Sequence, residues 1–111
     1  MDKLEHYRNL IENVLRNYAA IPYAYGDIQK ELIFDRSNDH YQVLSIGWQQ
    51  DRRVHDTPVH FDIQDGKIWL QHNMTNRNFI DELLEAGVPK DDIVLGFQPP
   101  QVRHLTGFAV K

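Results

Sequence analysis

The sequence predicts an α+β fold: a mainly antiparallel sheet, with hairpins over 27–48 and 57–72, and an N-terminal helix and a second helix near 77–86 packed on it. Three observations carry this. Apolar residues fall at helical steps near the N-terminus, alternate at period two through the middle, and return to helical steps after residue 77. An Asp-Gly pair sits between two alternating runs, where a tight hairpin turn needs it. The 111 residues have room for one domain, 1–111, around one core.

In the first helix, Leu4, Tyr7, Ile11, Val14, Leu15 and Tyr18 form one stripe, which predicts packing on a flat surface. Lys3, Glu5, Arg8, Glu12 and Arg16 are assigned to the outer face, with Glu12 and Arg16 in the favourable i, i+4 order. The stretch AAIPYAYGD ends this helix, because Pro22 lacks a donor and Gly26 supplies a turn.

DIQKELIFD and HYQVLSIGW have strand character and are separated by the turn-rich RSND, which reads as a hairpin. In the second run Leu44, Ile46 and Trp48 face one way and Tyr41, Val43, Ser45 and Gly47 the other. Both faces can be covered, so a central strand is expected. The next hairpin turns at Asp65-Gly66. Pairing Gln64 with Lys67 sets Ile63 opposite Ile68, Asp62 opposite Trp69, Phe61 opposite Leu70, His60 opposite Gln71 and Val59 opposite His72. Val59, Phe61, Ile63, Ile68 and Leu70 then share the face beneath the helix, and Pro58 marks the strand's start or an edge.

Phe79, Ile80, Leu83 and Leu84 are the buried stripe of the second helix. Thr75 or Asn76 is its candidate cap, and Gly87 stops it before Pro89. Residues 93–97 read as a helical turn or a short strand, Pro99-Pro100 as an extended loop, and 105–110 as a possible last strand.

Composition excludes several functions. With no cysteine there is neither a disulfide nor a thiolate zinc site, and a cytoplasmic setting is expected. The N-terminus has no apolar h-region and no run reaches 18 apolar residues, so neither a signal peptide nor a membrane span is expected. Twelve Lys and Arg are scattered among sixteen acids for a net charge of −4, which supplies no basic stripe for DNA phosphates.

The stretch HFDIQDGKIWLQH resembles a metal site, but the derived register splits it. His60 and Asp62 fall on the polar face and His72 on the apolar one, leaving two ligands at most, and no metal or other cofactor is expected. His55 and Asp56 have no defined direction because Pro58 intervenes. Ser37 and Ser45 have no base at a telling spacing, and no glycine motif cradles a phosphate. Asp91-Asp92 is explained by the dipole of a short helix. Arg52-Arg53 and Arg103-His104 are basic pairs in predicted loops, available to an acidic partner or simply solvated. Trp69, on the face of His60, Asp62 and Gln71, is either covered by the C-terminal segment or used in an interface. Trp69, Arg52, Arg53 and Arg103 are therefore the interface candidates, and no catalytic residue is indicated.

The blocks HYQVLSIGW, RRVHDTPVHFDIQDGKIWLQ, AGVPKDDIVLGFQPP and RHLTGFAV, in this order, resemble the XisI family of cyanobacteria. Members are described as controlling factors for excision of the fdxN DNA element. The resemblance implies a non-enzymatic accessory protein that acts with a partner, XisH, to let a site-specific recombinase excise an element during heterocyst development. Self-association, as a homodimer, is also expected. Two other readings stand beside it: weak direct DNA binding as a dimer through Arg52, Arg53, Lys67 and Arg103, and a small metal-dependent enzyme around His60 and Asp62.

Overall fold

The computed structural model describes residues 2–23 and 26–111. Helix α1 (Lys3–Ala19) is followed by four antiparallel strands, β1 (Asp27–Asp35), β2 (His40–Gln49), β3 (Arg52–Gln64) and β4 (Lys67–Asn73). Helix α2 (Phe79–Glu85) then carries the chain to β5 (Ile93–Leu95), which pairs in parallel with β4. The sheet order follows the sequence order, β1-β2-β3-β4-β5. The α+β class, both hairpins and both helices agree with the sequence reading. Among the described residues, no helix is long and apolar enough to cross a membrane.

Asp2 caps α1 by accepting the amide of Leu4 at 3.0 Å, and the helix ends before Pro22 as its chemistry requires. Ala24 and Tyr25 of the terminating stretch lie outside the described residues. Tyr7, Ile11, Val14, Leu15 and Tyr18 bury against the predicted sheet face of Val59, Phe61, Ile63, Ile68 and Leu70, which Tyr41 and Val43 of β2 extend. Phe79 and Leu83 of α2 close the same core, with Phe79 edge-on to Tyr18 and Phe61 at centroid distances of 5.7 and 5.9 Å. Each fully buried aromatic or aliphatic side chain here contributes about 2 kcal/mol.

Several local expectations need correction. Glu12 is buried, not on the outer face, because Arg36 from the β1–β2 turn reaches over α1 to pair with it. Pro58 lies inside β3, and β3 begins at Arg52 instead of near residue 57. Its missing N–H is accommodated where the β2–β3 register slips between Val43/Ser45, with Thr57 and Pro58 facing Leu44 alone. The cap of α2 is Asn78, whose side chain accepts from the amide of Asp81, so the helix starts later than Thr75 or Asn76 would allow. Residues 93–95 resolve as a strand. Pro99 and Pro100 open a 3₁₀ helix (Pro100–Leu105) instead of an extended loop, since proline suits a first helical turn. Near the end only the bridge of Ala109 to Val94 is sheet-like.

The Asp65-Gly66 turn behaves as expected, with positive φ at both residues (53° and 76°). Its register holds for four pairs, from Gln64 with Lys67 to Phe61 with Leu70. It then shifts. Gln71 is a bulge, so His60 faces His72 and Val59 faces Asn73.

Candidate functional site

The helices cover one face of the sheet and leave much of the other open. Leu44, Ile46 and Trp48 lie on this second face. Leu44 and Ile46 are half-buried and Trp48 is 49% exposed, so β2 is internal to the sheet as expected, between β1 and β3, but its second face is not fully covered. Ile33 on β1, opposite Gln42, is exposed beside them. Arg53, opposite Trp48 on β3, sets its guanidinium 5.1 Å from the indole centroid and donates to the Gly47 carbonyl. Arg52 and Arg53 are exposed strand residues, so the predicted loop is absent here.

At the opposite end of the same face, near the β1–β2 turn, three titratable side chains converge. His40 on β2 is the register partner of Asp62 on β3, and His60 stands two residues before Asp62 on the same side of the strand. His40 Nδ1 and His60 Nε2 each lie 2.8 Å from one oxygen of Asp62, Oδ1. The other oxygen, Oδ2, accepts from Gln71 Nε2 at 3.0 Å. Asp62 is only 5% exposed. Burial pushes its pKa up, but the hydrogen bonds from His40, Gln71 and His60 outweigh this and hold it below the ordinary value. The same bond to Asp62, against a smaller opposing effect of burial, raises the pKa of His40.

The sequence alone shows two of these groups, because the register of β3 with β4 does not include β2. The third member, His40, comes from β2. Carrying the register across the β2–β3 pairing would have found it, since His40 opens the strand four residues after the RSND turn begins. His72 is the other correction. The bulge at Gln71 places it opposite His60 and exposed, away from the core, yet it remains outside the cluster.

Trp69 pairs with Asp62 across β3 and β4 and is half-buried. The C-terminal segment runs over it at Gly96, where a Cβ would come within 3.2 Å of Trp69 Cε3 and 2.4 Å of Gln71 Oε1. Arg103, in the 3₁₀ helix and not in a loop, lies 5.2 Å from the Trp69 ring centroid. It donates to the carbonyls of Gln98, Gly96 and Val110 at 3.0, 3.3 and 3.4 Å, so its guanidinium fastens the segment that covers Trp69. The indole Nε1 is buried without a hydrogen-bond partner among the described residues. Lys67 Nζ donates to the Lys111 carbonyl at 2.7 Å, and Asp92 accepts from the Tyr7 hydroxyl and pairs with Lys3 at 2.8 Å. His55 and Asp56 are exposed on β3, while Ser45 is buried with its hydroxyl 2.6 Å from that of Tyr23.

A family model described as XisI protein matches residues 1–110. The chain belongs to the XisI family. A XisI-like protein from Anabaena variabilis is 44% identical with a TM-score of 0.91, over 97% of this chain and 99% of its own. The fdxN element excision controlling factor XisI from the same organism is 39% identical with a TM-score of 0.85, over 99% of this chain and all of its own (100%). No curated protein matches the sequence. The similarity to these XisI structures thus extends over nearly the whole of this chain.

Proposed function

We propose that this XisI-family chain is a non-enzymatic accessory factor in the control of site-specific excision of a DNA element, acting by binding a protein partner of the XisH type. Its link to recombinase and DNA is then indirect. The observation that carries the reading is the uncovered apolar strip of Ile33, Leu44, Ile46 and Trp48, bordered by Arg53. Tryptophan and arginine are the residue types on which protein contacts most depend, and an open sheet face around them offers protein-sized contact area. The name of the similar Anabaena factor supports the process. A net charge of −4 disfavours direct phosphate binding, as do the internal bonds of Arg103 and Lys67.

The test is co-expression of the untagged chain with a tagged XisH-like protein. Recovery in near-equal amounts, weakened at least tenfold by Trp48→Ala in a chain that still folds, supports the reading. Recovery of the chain alone, or only as a homodimer, overturns it.

A further inference from the structure

We infer that His40, His60 and Asp62 form a binding site for a divalent transition metal ion of the zinc type. The donor atoms of all three lie within 4.8 Å of one another. Two imidazoles and one carboxylate, offered from three side chains, are a borderline donor set. It suits zinc, cobalt or iron(II), and it is poorly matched to magnesium or calcium, which prefer oxygen throughout.

The scaffold is as informative as the donors. Each ligand stands on one of two neighbouring internal strands, and His40 and Asp62 are direct register partners, so the sheet itself fixes their approach. The carboxylate is oriented from behind. Gln71 donates to Oδ2 and leaves Oδ1 turned toward both rings, the outer hydrogen bond that ligating carboxylates usually have. Gln71 is also the bulged residue of β4, and a bulge is a device for aiming a side chain off the regular ladder.

The distances define what an ion must do. Ligand atoms about 2.1 Å from a tetrahedral ion stand about 3.4 Å apart, so the two 2.8 Å contacts to Oδ1 have to open by about 0.6 Å. His40 is half exposed and His60 about a third exposed, so both rings have room to swing. Three protein donors leave a further position facing the surface, where water or a donor atom of a bound molecule completes the shell.

The experiment uses the full untagged chain, stripped with chelator and titrated with cobalt(II) by visible absorption and with zinc(II) by calorimetry. One ion per chain is expected, with proton release. His40→Ala and His60→Ala should each weaken binding at least tenfold, while His6→Ala on α1, across the sheet, should not. In the unmodified chain, the imidazole NMR signals of His40 and His60 should shift together and saturate at one equivalent of zinc. Absence of stoichiometric binding overturns the inference. So does binding that survives in the His40→Ala, His60→Ala double variant, or zinc shifts confined to other histidines.

Discussion

Arg36 Nε stands 2.8 Å from Glu12 Oε2, and its Nη2 stands 3.1 Å from Oε1, so a turn between two strands grips a carboxylate buried on the helix above. The same guanidinium reaches Glu5 and Asn9, which lie along one line of α1 with Glu12. Removing the cation leaves Glu12, at 6% exposure, without its main partner. Arg36→Ala should lower the midpoint of urea denaturation, because it strands the buried carboxylate of Glu12, while the partly solvated Arg36 itself adds little. Replacing both residues by leucine should recover much of that loss, since no charge is then stranded.

Gly47 has no space for a side chain. A Cβ there would stand 2.0 Å from the Asp27 carbonyl oxygen and 2.7 Å from Ile28 Cα, both on the neighbouring strand's backbone. Neither atom can yield without opening the β1–β2 ladder. Gly47→Ala should destabilise the fold by about 2–3 kcal/mol, seen as a lower midpoint in chemical denaturation. Gly66→Ala, where nothing lies within 4 Å, meets no such clash and bears only the strain of its positive φ (76°).

Asp39 gives the fold an acid-sensitive contact. The bond from Arg8 holds its pKa below the ordinary carboxylate value, against burial, with a further bond from the Tyr41 hydroxyl. A lowered folded pKa stabilises the native state above the unfolded value, near 3.8, and that contribution is lost as pH falls through the folded value. Stability should therefore fall on acidification from pH 5 toward pH 2. Asp39→Asn should show a shallower fall over the same range, because asparagine tolerates the positive φ of 59° but does not titrate there.

Arg103 should control the mobility of the segment over Trp69. Arg103→Ala removes three bonds to carbonyls and the stacking on the indole. Hydrogen exchange in 96–110 should speed up by an order of magnitude or more, while β2 and β3 keep their protection. Equal acceleration across the sheet would contradict this division.

Legibility tracked how local each determinant was. The stripe of α1 and the Asp65-Gly66 hairpin were readable because helical period and turn chemistry lie within a few residues of each other. Glu12 was misplaced because its partner, Arg36, is 24 residues away and no periodicity signals it. The His40–His60–Asp62 cluster was half visible for the same reason. His60 and Asp62 are neighbours in one strand, but His40 joins through a second strand pairing. A single bulged residue, Gln71, was enough to reverse the reading of His72, since a one-residue slip changes which side a strand presents. The C-terminal segment was least legible because Arg103 is held by backbone carbonyls, which carry no sequence signal of their own.

Tyr7 and Asp92, joined hydroxyl to carboxylate, are 85 residues apart. On the ribosome α1 is made before the sheet and its closing contact long afterward, so the nascent chain must hold an amphipathic helix ready while the sheet is still being synthesised. The parallel strand β5 arrives immediately after Asp92, and only then is the fourth strand's outer edge occupied. Translation therefore delivers this contact after most of the core, and a ribosome stalled before Asp92 holds a chain whose β4 edge is open to chaperones or to a neighbouring nascent chain.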